Sequence, residues 1–223
     1  MNRILLSLLL TLPLFAAKKP NIVFIFSDDH ASHAIGAYEG WLKSVNPTPN
    51  TDRLAAQGML FKNSFCNNSI CGPSRAVILT GKHSRQNGFI NNGNKFESDQ
   101  QTFPKILQKN GYRTALFGKW HLKSSPQGFN QWKVLPGQGQ YYNPDVLTAN
   151  GKERLEGHCT DVVTDLSVNF IKQQAKDGEP FLLMCQHKAP HRNWMPAMCH
   201  LYLYDDITIP EPATLFEKWE DNS

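Results

Sequence analysis

The stretch Asn21-Ile22-Val23-Phe24-Ile25-Phe26-Ser27, which leads into Asp28-Asp29-His30, decides the fold of this chain. It is a continuous apolar run rich in β-branched and aromatic residues, which is typical of a strand buried on both faces of a parallel sheet. Two further runs, Tyr112 to Phe117 and Phe181 to Gln186, are also predicted to be strands, and a segment of helical periodicity precedes each. Strands alternating with helices predict an α/β fold with a mainly parallel sheet flanked by helices.

Four helices are predicted from apolar spacing and from Pro and Gly at their ends. They cover Thr48 to Gly58, the segment from Cys71 to Gly81, Phe103 to Asn110, and Asp161 to Lys176. Two connecting segments lack clear periodicity. Met59 to Phe65 is expected to be extended, and Gly128 to Gly157, rich in Gly, Pro, Gln and Tyr, is expected to be an irregular excursion near the substrate.

Composition restricts the class of protein. The 223 residues, 40% hydrophobic and 19% charged, suffice for one substantial core or two small ones. The net charge of +4 is spread along the chain, so it mildly favours an anionic substrate and gives no case for nucleic-acid binding.

Residues 1–17 carry Arg3, a short apolar run and a small-residue end, which predict a signal peptide. No segment is predicted to span a membrane, and the protein is expected to be secreted or periplasmic.

Polar side chains follow each of the three predicted strands. Asp28 and Asp29 follow the first, Lys119 and His121 the second, and His191 the third. Ligands of open α/β sheets bind beyond the carboxyl ends of the strands. The five residues are therefore expected to converge on one face of the molecule.

The adjacent carboxylates of Asp28 and Asp29 suggest a metal site. Two anions held close together repel each other unless a cation lies between them, and oxygen ligands suit Ca²⁺ or Mg²⁺. A solvated loop or an N-terminal helix cap is the alternative interpretation of such a pair taken alone.

The run Cys71-Gly72-Pro73-Ser74-Arg75 places a cysteine at a predicted helix start, where amide groups and the helix dipole favour a bound sulfate or phosphate. Arg75 lies one turn further on the same helix face. A buried free thiol, a disulfide to Cys66 and an ordinary surface arginine are the alternatives. The chain has five cysteines, so an oxidising compartment leaves at least one unpaired within the chain.

The pattern Cys-x-Pro-Ser-Arg, followed by Leu-Thr-Gly, resembles the signature of the type I sulfatases, members of the alkaline-phosphatase-like superfamily. Three other segments resemble further motifs of that family and occur in the family's order. They are Pro20 to Asp29, Gly118 to Leu122, and Lys188 to Trp194. Residues 18–223 are accordingly expected to be a partial sulfatase catalytic domain.

The resemblance implies a role for each residue. Cys71 would be oxidised to formylglycine (3-oxoalanine) by a formylglycine-generating or anaerobic maturation enzyme. One hydroxyl of the hydrated aldehyde would attack sulfur, and loss of the other's proton would then release sulfate. Asp28, Asp29 and residue 71 would hold the cation, Ca²⁺ ahead of Mg²⁺. The remaining roles follow the family motifs. Arg75 would neutralise the nucleophile and the sulfate oxygens, and Lys119 would bind sulfate oxygens. His121 would take the proton whose loss releases sulfate. His191 would contact the ester and protonate the leaving alcohol, and His187 and Lys188 are the alternatives to His191 in that role.

The resemblance implies hydrolysis of sulfate esters on a sulfated sugar or glycan, as by enzymes similar to N-acetylglucosamine-6-sulfatase. Phosphate or phosphonate ester hydrolysis on the same scaffold is an alternative, although relatives of that kind commonly use Thr or Ser where Cys71 stands. An inactive, sulfatase-like anion-binding fragment is another.

The sequence departs from the family pattern after Trp194. The family's further Asp with Asn or His at the metal, its second sulfate lysine and its smaller C-terminal domain have no counterpart here. Asp205-Asp206 lacks the expected glycine-containing context. The fold is therefore expected to be incomplete at the C-terminus, and with half the protein ligands, cation binding would be weak and hydrolysis by the chain itself doubtful.

Overall fold

Four neighbouring parallel strands form the centre of the molecule. The computed structural model describes residues 19–218. The strands are β1 (Ile22–Phe26), β2 (Arg113–Lys119), β3 (Gln131–Leu135), β4 (Asp145–Thr148), β5 (Gly151–Arg154) and β6 (Phe181–Gln186). They form one sheet in the order β1-β6-β2-β3-β4-β5. The first four strands in this order run parallel, whereas β4 pairs antiparallel with β3 and with β5. The predicted α/β class with a mainly parallel sheet is confirmed.

The helices agree closely with those predicted. They are α1 (Pro49–Gln57), α2 (Cys71–Thr80), α3 (Ser84–Asn87), α4 (Phe103–Lys109) and α5 (Cys159–Asp177), with short 3-10 turns at Ser32–Ala34, Gly36–Tyr38 and Met198–His200. Only the four-residue α3 was not predicted. Gly81 ends α2 and Gly178 ends α5 in the left-handed conformation that favours glycine. Residues 59–65, which were expected to be extended, contain no strand.

Side-chain alternation along β2 and β6 places one core on each face of the sheet. Leu116, Leu182 and Met184 belong to the core that includes Ala76 and Leu79 of α2. The alternate residues of the same strands belong to the second core, which packs under α5. They are Ala115, Phe117, Phe181, Leu183 and Cys185. All six residues of β6 are buried, as predicted for a central strand.

The strand β1 differs from its prediction. It lies at the edge of the described sheet, and only one of its faces is covered. Ile22 and Phe24 pack against the core, whereas Val23 is 45% exposed and Ile25 is 62% exposed. Val23 and Ile25 lie on the face of the sheet that α5 covers, but α5 packs over β6 and β2 and not over β1. The expectation of a strand buried on both faces is therefore wrong within residues 19–218.

The segment Gly128 to Gly157 is more regular than predicted. It contains β3, β4 and β5, which extend the sheet beyond β2. These strands are four or five residues long, and they are separated by turns with glycines at positive φ, among them Gly137 and Gly139. Strands this short carry little periodicity, which is why the sequence reads as irregular.

The predicted signal peptide, residues 1–17, lies outside the described residues. Within residues 19–218, none of the helices combines the length and the apolar character that a membrane span requires.

Candidate functional site

The carboxyl ends of β1, β6 and β2 lie side by side. Gln186 at the end of β6 is level with Phe26 of β1 and with Gly118 of β2. Beyond the strands, the amide of His187 donates to the Phe26 carbonyl oxygen at 2.8 Å. The Asp28 amide likewise donates to the Ala189 carbonyl oxygen at 3.1 Å, so backbone hydrogen bonds join the segments that follow β1 and β6. The end of β2 lies beside them in the sheet, and the three polar clusters are thus at one edge, as the sequence predicted.

Asp28, Cys71 and His191 offer three potential ligand atoms to one point. The carboxylate oxygen, the thiol sulfur and an imidazole nitrogen all lie within 4.8 Å of one another. Asp28 and His191 are buried and Cys71, the first residue of α2, is half-buried. Beside them lies a cavity of about 300 Å³ that is lined by Asp28, Asp29 and Cys71, among others. Three segments far apart in the sequence thus meet at the start of α2.

The Asp28 carboxylate carries the main ion pair of the site. The Lys119 ammonium donates to one of its oxygens, and Nη2 of Arg75 lies 3.6 Å from the other. Lys119 also donates to Oε1 of Gln138 at 2.5 Å, and its side chain has no exposed surface. It is the last residue of β2 rather than a residue beyond the strand. The lysine predicted to bind sulfate oxygens is thus held by a carboxylate in this structure.

Arg75 is buried behind the start of α2, at 2% exposure, instead of lying on the surface. Its Nη1 donates to the Lys119 carbonyl oxygen at 2.6 Å and to Oε1 of Gln186 at 2.7 Å. Its Nε and Nη2 have no hydrogen-bond partner among the described residues. Burial lowers the pKa of Arg75, and the charges of Asp28 and Cys71 oppose that effect. The unused donors are what an incoming anion would satisfy.

His191 is oriented by hydrogen bonds on the side away from Cys71. Its Nδ1 donates to the Arg192 carbonyl oxygen at 2.9 Å, because a carbonyl can only accept. Its Nε2 lies 3.7 Å from the Asp29 carboxylate. The Tyr141 hydroxyl donates to the His191 carbonyl oxygen, and burial raises the pKa of Tyr141 to about 12, so it remains a donor. Nε2 is thereby left without a hydrogen bond within residues 19–218 and faces the Asp29 carboxylate.

His121 is held as a neutral imidazole. Its Nδ1 is buried without a hydrogen-bond partner among the described residues, and its backbone has φ 56°. Burial, followed by the positive charges of Lys119 and Arg75, lowers its pKa to about 4. At neutral pH the ring therefore carries no charge and can accept a proton.

Asp29 lies outside the group of three ligand atoms. Its backbone is left-handed, with φ 62°, and its side chain is 58% exposed. Its carboxylate faces the imidazole of His191. The structure therefore includes Asp28 in the group of three potential ligand atoms and leaves Asp29 beside that group.

His187 and Lys188, the two alternatives to His191, contact different neighbours. Nε2 of His187 lies 3.4 Å from the buried Cys185 thiol, on the core side of the strand end. Lys188 is buried, with Nζ 4.6 Å from the centre of the Tyr141 ring. Burial and the charge of Lys119 lower the pKa of Lys188.

All five cysteines are free thiols in the structure. The alternative of a disulfide between Cys66 and Cys71 is therefore not realised, although Cys66 lines the same cavity.

Three contributors to the site were missed at the sequence level: Gln138, Gln186 and Tyr141. Each supports a predicted residue through a hydrogen bond, to Lys119, Arg75 and His191 respectively. Gln138 and Tyr141 belong to the segment expected to lie near the substrate, and Gln186 ends a buried strand. A polar residue at the end of an otherwise apolar strand was the available signal for Gln186.

The charges of the site favour an anion. Three buried cationic side chains, Arg75, Lys119 and Lys188, face one buried carboxylate, that of Asp28. The amino end of α2 adds partial positive charge at residue 71.

The choice between sulfur and oxygen at position 71 determines which kind of cation the site would bind. A thiolate is a poor ligand for Ca²⁺, whereas an oxygen at position 71 would give a second oxygen ligand next to that of Asp28, with the Asp29 carboxylate beside them. The residues present therefore fit a hard cation once Cys71 carries oxygen.

The parallel sheet, the cysteine at the start of α2 and the carboxylate at the end of β1 define a class of protein, and comparison with known families gives the same class. The family model described as Sulfatase matches residues 20–206, so the chain belongs to the sulfatase family. Members of that family generally use formylglycine and a divalent cation.

Two named sulfatases are similar to this chain over most of its length. The chain is 49% identical over 207 residues to the N-acetylglucosamine-6-O-sulfatase of Bacteroides thetaiotaomicron, covering 91% of this chain and 36% of the relative. It is 30% identical over 220 residues to the N-acetylglucosamine-6-sulfatase of Homo sapiens, covering 86% of this chain and 38% of the relative.

A solved structure of a protein with its substrate D-glucosamine-2-N,6-O-disulfate superposes with a TM-score of 0.86 at 48% identity. That match covers 91% of this chain and 41% of the solved chain. The chain thus spans about two fifths of the length of these relatives or less, and it corresponds to a part of longer sulfatases, as the sequence predicted.

Proposed function

We propose that this chain carries the nucleophile and half of the metal site of an enzyme that hydrolyses sulfate esters on a sulfated sugar or glycan. The observation that supports the proposal most strongly is the meeting of Asp28, Cys71 and His191 at the start of α2, with Arg75 buried behind them. A modifiable cysteine, a metal-ligating carboxylate and a proton donor are the parts that such a reaction needs within one cavity.

The nucleophile is proposed to be residue 71 after conversion to formylglycine by a maturation enzyme. A cation held by Asp28, Asp29 and residue 71 would acidify the attacking hydroxyl, and Ca²⁺ is preferred over Mg²⁺ for an all-oxygen set. Arg75 has two N–H groups without partners with which to neutralise a sulfate oxygen.

Lys119 is proposed to exchange partners. Its ammonium is now bound to the Asp28 carboxylate, which is also a proposed metal ligand. When a cation binds Asp28, the ammonium becomes available to the sulfate oxygens. The buried ion pair therefore holds Lys119 in position until a cation binds Asp28 and a sulfate group binds the lysine.

The two histidines are proposed to divide the proton transfers. His121 is neutral, with a pKa of about 4, and so can take the proton whose loss releases sulfate. His191, with Nε2 facing Asp29, donates to the leaving alcohol. The charges of Lys119 and Arg75 act on His121, whereas His191 faces the Asp29 carboxylate, so the two rings are suited to opposite roles.

The substrate is proposed to be a 6-O-sulfated glucosamine derivative. Two relatives are named for action on N-acetylglucosamine 6-sulfate, and the solved neighbour holds a glucosamine 2-N,6-O-disulfate. The predicted signal peptide at residues 1–17 supports secretion or export to the periplasm, where extracellular glycans are accessible.

The experiment is a comparison of sulfate and phosphate esters. The protein, co-expressed with a maturation enzyme, is assayed on an aryl sulfate and on the matching aryl phosphate. We expect only slow sulfate release, because the chain spans 36% of the length of the Bacteroides thetaiotaomicron relative. That release should be lost in Cys71→Ala and unchanged in Cys199→Ala, since Cys199 is an exposed thiol outside the site. Release of phosphate but not sulfate, or full activity of Cys71→Ala, would overturn the proposal.

A further inference from the structure

We propose that a second cavity, which begins at His121, is a subsite for an anionic sugar residue next to the one that carries the scissile ester. The inference rests on the proposed function and extends it, because it assigns a longer, multiply charged glycan to the site. The cavity has a volume of about 620 Å³ and lies between the segment after β2 and the end of β3.

The cavity connects to the site through His121. This residue lines the cavity, and its carbonyl oxygen would lie 3.1 Å from a Cβ added to Gly72, the residue that follows Cys71. A sugar whose ester is placed at Cys71 would therefore have its neighbour in the glycan near this opening. The volume, within the range of about 300 to 1,000 Å³ usual for ligand sites, accommodates one sugar residue with its substituents.

The walls of the cavity are apolar and its charged side chains are cationic. Trp120 and Trp132 provide aromatic surface, and Lys95 and Lys123 provide positive charge. Among the residues that line it, none is acidic. Apolar walls with a few charged groups suit a sugar ring that bears sulfate or carboxylate. The Lys123 ammonium donates to the Gly93 carbonyl oxygen at 3.0 Å, so its positive charge is not neutralised by that contact and can still attract an anion.

Two polar atoms of the lining have no partner. Oγ of Ser124 and Nδ1 of His121 are buried without a hydrogen-bond partner among the described residues. Unsatisfied buried groups are costly, and each calls for an explanation such as a ligand or an unseen water. A sugar hydroxyl, which can both donate and accept, would satisfy either atom.

The test measures binding instead of turnover, in a Cys71→Ala background that cannot hydrolyse the ligand. Isothermal titration gives the Kd of D-glucosamine-2-N,6-O-disulfate and of a heparin-derived tetrasaccharide. We expect the double variant Lys95→Ala/Lys123→Ala to weaken tetrasaccharide binding by about tenfold and to leave monosaccharide binding unchanged. Lys95→Ala alone should act in the same direction, and it breaks no side-chain hydrogen bond within residues 19–218.

The matched control is Lys172→Ala/Lys176→Ala, which removes the same charge from the exposed face of α5. The control should bind both ligands as the background protein does. Equal weakening by the two double variants would mean a general charge effect, and unchanged tetrasaccharide binding or an equal loss of monosaccharide binding would likewise overturn the subsite. Failure of the proposed function would appear separately, as absence of sulfate release by the enzyme with Cys71 intact.

Discussion

Asp28 is the residue on which the buried charges of the site depend. It is 5% exposed and balances Lys119 and Arg75, both of which are buried more deeply. Removal of one partner of a buried ion pair leaves an uncompensated charge, which is usually more damaging than loss of the whole pair. The carboxylate is therefore expected to stabilise the fold as well as to serve as a proposed metal ligand.

Asp28→Asn should lower the free energy of unfolding by about 3 kcal/mol, measured by urea denaturation without added cation. Asp165→Asn is the matched control, since Asp165 is exposed on α5 and forms no ion pair among the described residues. It should change stability by less than about 0.5 kcal/mol. Equal stability of the two variants would contradict the role assigned to Asp28.

His121 makes stability depend on pH in a known direction. Its pKa is about 4 in the folded protein and 6.5 ordinarily, so the unfolded chain binds the proton more readily. The stabilising contribution is present above about pH 6.5 and is lost as the pH falls towards 4.

The measurement is the urea midpoint at several pH values for the parent and for His121→Gln. Between about pH 6.5 and 4 the parent should lose more stability than the variant, because only the parent has this imidazole to protonate. Curves that run parallel through this window would show that His121 is not held neutral by its surroundings.

At the scale of the elements, the close approach of β2 and β6 positions the site. A Cβ on Gly118 would lie 1.9 Å from the Gln186 carbonyl oxygen, and the glycine has φ 103°. Only glycine permits this contact, and Lys119 and Gln186 owe their positions to it.

Gly118→Ala should therefore destabilise the protein by at least about 3 kcal/mol and reduce activity, as strand separation moves Lys119. Gly81→Ala is the control: Gly81 has φ 65°, but a Cβ added there would have no neighbour within 4 Å. It should cost about 1 kcal/mol, the usual penalty for a left-handed residue with a side chain. Similar losses in thermal unfolding of the two variants would refute the importance of this close packing.

Prediction from sequence succeeded where an element is long or bounded by clear signals. α5 has apolar residues at helical spacing over 19 residues, and β6 is apolar up to its last residue, Gln186. β3, β4 and β5 were missed because each is short and Gly137 and Gly139 interrupt the pattern. β1 was identified, but its exposure was wrong, since periodicity does not reveal which neighbours a strand has.

Prediction of the site likewise succeeded for residues at the ends of elements and failed for contacts between distant side chains. Asp28 and His191 were predicted to meet because each follows a strand, a position whose location in the fold is known from topology. Cys71 was placed with them by the resemblance of its motif to the sulfatase signature. The pairing of Lys119 with Asp28, and the support from Gln138 and Tyr141, depend on side-chain packing between distant segments. No local pattern encodes such contacts, so sequence reasoning could not supply them.

At the scale of the whole molecule, cation binding should stabilise the fold only after residue 71 carries oxygen. A ligand at 100 times its Kd adds about 2.7 kcal/mol to stability. Ca²⁺ should therefore raise the Tm of the converted protein more than that of the protein with an unmodified Cys71 thiol, and more than Mg²⁺ does. An equal rise for converted and unconverted protein would contradict the proposed ligand set.

The conversion of Cys71 is the central claim, and mass spectrometry tests it most directly. The tryptic peptide from Asn63 to Arg75 contains both Cys66 and Cys71, so fragmentation can assign a modification with an internal control. After co-expression with a maturation enzyme, we expect a loss of about 18 Da at Cys71, as a thiol becomes an aldehyde, and none at Cys66. An unmodified thiol at Cys71 under those conditions, in protein that still releases sulfate, would contradict the claim.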